Sequence, residues 1–273
     1  MGHLRVPDPY DFQLSTERHR AFGPDLANLW HDDGLHRVVA GREVRIVAAD
    51  GGVEVEPLDD ETAPVVRKLL GFEFALEPFY AFATTEPVLS RLIPALRGLR
   101  PPLAVDPFES IVTSISAQQV SLHAAFSVRN RFIAAFGARA GAAYAFPTRE
   151  RVAAAAEDEL LALGFSRRKA EYIVGLARDD VDLYALAAAP DADVKAALVA
   201  LRGIGEWTAD WFLARYLARP RAWPWGDLAL RKAVAAFYGA DTDVRAIGAE
   251  FDPFQNLTAH YLLTGFRVHP PSD

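Results

Sequence analysis

The sequence predicts a mostly helical protein with a small N-terminal α+β domain built on an antiparallel sheet. Three observations carry this. Strand-like runs rich in β-branched residues are confined to the first part of the chain, up to about Thr85. From Glu86 onward, helix-period apolar spacing with capped starts takes over. The connections in that second part are short and its helices are rich in alanine, the pattern of a helical bundle. The expected domains are therefore residues 1–85 and 86–273.

Taken in order, Val38-Val39, Val44 to Val47 and Val53 to Glu56 read as short strands, with turn signals at Ala40-Gly41-Arg42 and Ala49 to Gly52 between them. Ala63 to Leu70 reads as a helix after Asp59-Asp60. Nothing in this part points to chemistry, and a scaffold role is the plain reading. Pro87 to Leu96 has helical spacing and ends before Gly98 and Pro101-Pro102. Asp106 caps a helix with Pro107 in its first turn, running through Phe108 to Ala117. Ser121 to Phe136 is closed by Gly137, Thr148 caps Arg149 to Ala156, and Glu157 to Leu163 stops at Gly164. Ser166 caps Arg167 to Ala177, and Asp182 to Ala188 and Asp191 to Leu201 follow with acidic starts.

Composition narrows the function classes. With 51% apolar and 24% charged residues the chain is ordinary globular protein, which excludes intrinsic disorder. It has no cysteine, which removes disulfides, thiolate metal sites and iron–sulfur clusters. The start lacks a cationic segment followed by an apolar core, and no uninterrupted apolar run of about 18 residues occurs, so the expectation is a cytoplasmic protein with no membrane contact. The seven histidines show no metal-ligand spacing. A net charge of −7 argues against a nucleic-acid partner. The local count differs: Lys195 to Lys232 holds seven cations against Glu206, Asp210 and Asp227, an excess of four.

That stretch, Leu198 to Val234, is the most informative in the chain. Gly203-Ile204-Gly205 lies between two helical patterns and leaves backbone amides open to an anion such as a phosphate. Alone it is more commonly a tight helix–helix turn with no ligand. Trp207 and Trp211 stand at i and i+4 and share one helix face. They are either core or the walls of a pocket that stacks an extruded base. Trp223, Trp225 and Phe254 raise the aromatic density and favour the pocket. Asp227 opens the next helix as an N-cap, and its carboxylate suits stabilisation of an oxocarbenium ion at a sugar C1′. Glycosidic hydrolysis normally uses two carboxyl groups, and only this one stands out. A leaving group that already carries positive charge, such as an N-alkylated purine, needs no acid, and an aromatic pocket favours it.

The chain resembles the helix-hairpin-helix (HhH-GPD) DNA glycosylase superfamily, most of all the AlkA-like 3-methyladenine DNA glycosylase II branch. The resemblance runs through Pro9-Tyr10-Asp11, Asp106 to Glu109 with Ile115 to Ser121, Phe146 to Glu171, and most specifically Leu201 to Lys232. It implies a helical bundle of that superfamily and a monofunctional DNA N-glycosylase of base excision repair. Such an enzyme flips an alkylated base (3-methyladenine type) out of double-stranded DNA and leaves an abasic site, acting as a monomer without a required cofactor. Asp227 falls at the catalytic aspartate. Trp207 stands where the bifunctional glycosylase/lyases carry a lysine, so no Schiff base is expected. Trp211, Phe254 and Leu228 fall in the base pocket. Gln118, Gln119, Arg202, Gly203, Gly205, Thr208 and Lys169 fall at DNA contacts, Gln119 as the side chain that fills the flipped base's place. The backbone carbonyls of Val199, Leu201 and Ile204 match a site for Na+ or K+. Departures from the branch are Arg202 in place of a proline, a polar Gln119, a small Leu228-Ala229 after the aspartate, and Arg18 near where the first domain would offer an aromatic. Two other readings stay open: a glycosylase of this fold for oxidised or deaminated bases, and a non-catalytic helix-hairpin-helix DNA-binding module.

Overall fold

The computed structural model describes residues 1–270. Strands β1 (Gly2–Arg5), β2 (Leu29–His31), β3 (Gly34–Val39), β4 (Arg42–Ala49) and β5 (Gly52–Glu56) form one antiparallel sheet in the order β1-β5-β4-β3-β2. The register opposes Ile46 to both Leu35 and Val55, so these three fully buried residues line up on one face. With Val44 and Val53 they pack on Val66, Leu69 and Leu70 of helix α2 (Thr62–Leu69). The expected strands are β3, β4 and β5. The edge strands β1 and β2, at four and three residues, are too short to show an alternation. A short helix, α1 (Phe12–Thr16), is capped by Asp11, whose carboxylate accepts the Leu14 N–H.

The remaining helices are α3 (Leu76–Ala83), α4 (Pro87–Leu96), α5 (Pro107–Ala117), α6 (Leu122–Phe136), α7 (Arg149–Ala153), α8 (Glu157–Ala162), α9 (Arg167–Arg178), α10 (Asp191–Ala200), α11 (Glu206–Arg215), α12 (Leu228–Tyr238), α13 (Val244–Ile247) and α14 (Gln255–Val268). They gather around two cores. One, on Ile111, Phe132, Ile173 and Phe212, is made by α5 to α11. The other, on Phe79, Leu89, Leu230 and Tyr261, joins α3 and α4 to α12 and α14. Helix α3 thus packs with the helical core, whereas sequence pattern puts it in the first domain.

Three further expectations need correction. Helix α7 ends at Ala153 rather than Ala156, and within 182–188 only a 3-10 turn at Ala185–Ala188 forms. The second part is also not purely helical. Strands β6 (Arg139–Ala140) and β7 (Ala143–Tyr144) make a hairpin that docks on β3. There the Ala142 N–H donates to Glu43, and a side chain on Gly141 would collide with that carboxylate.

A buried charge network completes the joint between the parts. Arg37 of β3 donates to Glu109 of α5 at 2.6 Å and to Asn28 at 2.6 Å. Arg129 of α6 donates to Glu109 at 3.0 Å and also to Asp25. All five side chains are buried, so each charge has to be matched, and the matching fixes the sheet against α5 and α6.

Candidate functional site

Asp227 caps α12. Its Oδ1 accepts the backbone N–H groups of Ala229 (2.9 Å) and Leu230 (3.0 Å), the expected geometry of an aspartate at a helix start. Its Oδ2 accepts the indole N–H groups of Trp207 (2.9 Å) and Trp211 (3.0 Å). A carboxylate has about four lone-pair positions, and all four are taken. The carboxylate is therefore held in one orientation with no lone pair left for a further donor. The i, i+4 spacing on α11 is what aims both indoles at one oxygen.

The carboxylate borders a cavity of about 120 Å³, set between the N-terminal segment, α5–α6, α11, α12 and α14. Cavities of ~150 Å³ hold a benzene-sized ring, so this one is smaller than a base needs and side chains of its wall have to move aside to admit one. Trp207 lines the cavity. Trp211, only 2% exposed, sits behind and joins the helical core, so it acts through its N–H rather than as an open wall. The aromatic surfaces come instead from Phe22 and Phe126, whose ring centres lie 6.0 Å apart. Charged groups are numerous in the wall: Glu17, Arg18, Arg129, Arg215 and Arg267 join Asp227. Burial, and then repulsion from Arg267, push the Arg18 guanidinium down to about 10, with Asp227 opposing. Burial, and next Arg18, push Arg215 well down in the same way. Buried His260 is pushed well below the usual imidazole range by desolvation and then by Arg215, which keeps it neutral.

Two expected pocket residues are elsewhere. Phe254 packs its ring on Phe79 and Phe82 (5.9 and 5.3 Å between centres), because the α14 start faces the second core and not the cavity. Leu228 is 65% exposed, since the first helical position after a cap points outward; Ala229 takes the place in the wall.

The hairpin is α10, the Leu201–Gly205 turn and α11. Gly203 has φ +84°, and a Cβ there would overlap the Tyr172 ring, so only glycine fits. Gly205 is exposed with open space where a Cβ would stand, a place where another backbone can come close. Arg202 is 78% exposed and pairs with Glu171 at 2.7 Å. The other expected DNA contacts turn inward. Gln118 donates to the Gly203 carbonyl (3.1 Å) and to the Thr208 hydroxyl (3.4 Å), Thr208 is buried, and Lys169 donates to the Ser116 carbonyl at 2.8 Å. Gln118 and Thr208 lock the α5–α6 turn onto the hairpin, and Lys169 ties α9 to the end of α5. That turn presents Gln119, exposed at φ +57°, and Val120, 47% exposed.

The local cationic excess is also less available than the sequence count implies. Lys195, Arg219 and Arg221 pair with Asp210, Asp191 and Asp252, and Arg215 lines the cavity. Val199 and Leu201 close α10, where a helix leaves carbonyls without partners. The Leu201 carbonyl accepts the Ile204 N–H at 3.2 Å and keeps one lone pair. Among the described residues no group of three or more His, Asp or Glu side chains is placed to hold a metal.

The model of the HhH-GPD superfamily, base excision DNA repair proteins, matches residues 112–253, which is 142 of the 273 residues. The chain belongs to this superfamily. A Bacillus subtilis DNA-3-methyladenine glycosylase is 31% identical over 179 residues, covering 63% of this chain and 59% of that protein. A Mycobacterium tuberculosis protein described as a probable bifunctional transcriptional activator/DNA repair enzyme AlkA is 31% identical over 261 residues, 87% of this chain and 51% of that one. The chain thus spans between half and two thirds of the length of these curated relatives. A solved 3-methyladenine DNA glycosylase from Archaeoglobus fulgidus superimposes with a TM-score of 0.89 at 25% identity, covering 99% of this chain and 100% of that one. A Clostridium acetobutylicum 8-oxoguanine glycosylase/lyase bound to DNA shares the superfamily fold, with a TM-score of 0.79 at 16% identity, over 94% of this chain and 92% of that one. The matched segment holds α11, the glycine turn and Asp227; Glu17, Arg18, Phe22 and Arg267, which complete the cavity, lie outside it.

Sequence reasoning missed Phe22, Arg267 and the cavity role of Arg215. One signal was present: Arg215 continues the Trp207, Trp211 stripe at i+8.

Proposed function

We propose that this protein is a monofunctional DNA N-glycosylase of base excision repair. It draws a damaged base out of double-stranded DNA into the cavity, hydrolyses the N-glycosyl bond and leaves an abasic site. The observation that carries this is the Asp227 carboxylate, held by four N–H donors at the wall of a cavity. A preorganised negative charge is what stabilises an oxocarbenium ion as the bond breaks, and with its lone pairs filled it does so electrostatically. Water then adds to C1′ of the sugar. With Trp207 where an amine would have to be, no lysine lines the cavity, which supports hydrolysis without a lyase step.

Gly203, Gly205 and Arg202 form the surface offered to the DNA backbone, and Gln119 with Val120 is the turn that enters the space the base leaves. The Val199, Leu201 and Ile204 carbonyls suit a monovalent cation, whose charge would reinforce phosphate binding at the hairpin. The relatives' names support alkylated bases as substrates, a monomeric cytoplasmic repair enzyme being the corresponding setting. The second reading, oxidised or deaminated bases, is favoured by the charged cavity wall. The test is single-turnover base release from duplexes containing one modified base, with borohydride trapping as the check for a Schiff base. Base release without trapping is expected; trapping, or release from no duplex, rejects the proposal.

A further inference from the structure

A second chamber of about 100 Å³ lies behind Trp211. Arg18, Phe126, Arg129 and Arg215 stand in its wall and in that of the cavity beside Asp227, so the two adjoin. His19, Asp25, Arg37, Glu109 and Trp211 line the second chamber alone. Its charges do not balance. Arg37 pairs with Glu109 at 2.6 Å, and Arg129 is shared between Asp25 and Glu109, which matches both acids. The Arg18 and Arg215 side chains have no acceptor among the described residues. Glu17 is taken by Arg267, and Asp227, which opposes both arginines from the first cavity, carries one charge against their two. One positive charge is left over.

The same wall holds donors that no protein group accepts. Nε of Arg37, Nε of Arg215 and Nε2 of His19 are all buried without a hydrogen-bond partner. Arg37 and His19 are only 7% and 9% exposed. Burial pushes the His19 imidazole down to about 4, so its ring is neutral and can carry its proton on Nε2. Each orphaned donor is costly, and a buried charge without a counter-charge costs more. Water can satisfy the N–H groups, but it brings no charge. A guanidinium keeps its own at neutral pH even when buried. The missing acceptor is therefore an anion.

We propose that this chamber binds one small monovalent anion of the halide class between Arg18 and Arg215. A single water needs ~10–15 Å³ of such space, so a halide with a few waters fits the chamber. A halide accepts from any direction, which suits donors carried by β3, by the turn Glu17–His19 and by α11. One negative charge is also the right amount, since the ion and Asp227 together balance the two guanidiniums; a doubly charged oxyanion would overshoot. The site is joined to the carboxylate through one side chain. The Arg215 guanidinium carbon lies 3.4 Å from the centre of the Trp211 ring, and that indole donates to Asp227 Oδ2 at 3.0 Å. An ion that fixes Arg215 thereby steadies the indole that holds the aspartate. The proposal concerns the free protein and goes beyond the glycosylase reading.

The test melts the full chain without DNA at constant sodium concentration, with chloride or bromide replacing gluconate, an anion too large for the chamber. Both halides should raise Tm along a saturating curve, by on the order of 3–6 °C at about ten times the dissociation constant. The chloride NMR line should broaden in the presence of protein and narrow again as bromide competes. Arg18→Gln and Arg215→Gln should each lose most of the halide-dependent rise and of the broadening. In gluconate, Arg18→Gln should melt at or above the wild-type temperature, because the charge without a partner is gone. An arginine with a merely structural role would instead lower Tm equally in every salt. If Arg215→Gln fails to fold, Arg18→Gln, which is partly exposed, decides together with the wild-type curves. Equal melting in halide and gluconate, a rise that never saturates, or a rise that both variants retain overturns the proposal. Each of those results leaves the glycosylase reading standing, since that reading is judged by base release.

Discussion

Replacing Asp227 with asparagine is more than a charge deletion here. The new amide keeps one oxygen, which can continue to accept the Ala229 and Leu230 N–H groups and so preserves the helix cap. Its nitrogen then faces two indole N–H donors that lie 2.9 and 3.0 Å from the present Oδ2, donor against donor. Trp207 is partly exposed and can turn to water, whereas Trp211, 2% exposed, has no alternative partner. An orphaned buried donor costs about 1–3 kcal/mol. A loss of ~2 kcal/mol lowers Tm by roughly 4–8 °C in a protein somewhat under this size. Activity falls further, on the order of a hundredfold to a thousandfold, as for loss of one preorganised electrostatic group. The assay is a double-mutant cycle with Trp211→Phe, read by melting and by base release. Trp211→Phe should cost stability in the wild type and little in Asp227→Asn, because its N–H has already lost its partner. Additive losses, or an Asp227→Asn protein with wild-type melting, would refute the geometry; undiminished base release would refute the chemistry.

Other consequences are open to direct measurement. Gly203→Ala forces a Cβ into the Tyr172 ring at a left-handed backbone position, which costs ~1–3 kcal/mol of local strain; affinity for abasic-analogue DNA should drop at least several-fold, and wild-type affinity would show the turn to be irrelevant. Adding Tyr172→Ala should recover part of the loss, since the space returns and the strained φ does not. Burial pushes His19 down to about 4, against Asp25, whose oxygen lies 4.0 Å from its ring; burial prevails because Asp25 is already bonded to Arg129 and Asn28. The unfolded chain then binds a proton that the folded protein refuses, so between pH 6.5 and 4 stability should rise with pH, by up to about 3 kcal/mol in all. Denaturant midpoints for wild type and His19→Gln across that window should converge at low pH, and parallel curves would count against it.

The sequence displays those parts of the site that depend on local chemistry. Asp227 reads as a cap because residue type and position suffice, and Trp207 and Trp211 share a face because helical spacing is fixed. Side-chain direction is not local. The indoles turn their N–H groups to the carboxylate and only one offers a ring to the cavity, which depends on how α11 leans on α12. Gln118, Thr208 and Lys169 read as DNA contacts because polar residues beside a docking hairpin are normally free; in the folded chain the first two hold α5 to the hairpin and the third holds α9 to α5. Phe254 and Leu228 fail for a simpler reason, a helix start whose rotation no pattern reveals. The cationic stretch misleads because three of its partners, Asp191, Glu171 and Asp252, lie outside the segment being counted. The sheet is legible where strands alternate, and its edges are not.

The pairing of Arg267 with Glu17 joins residues separated by 250 positions, and both stand in the wall beside Asp227. Helix α12, which carries the aspartate at its start, shares one core with Tyr261 and Leu262 of α14. The reactive carboxylate and the side of the chamber that holds Arg267 are therefore set by the same packing, and whatever loosens α14 disturbs both at once.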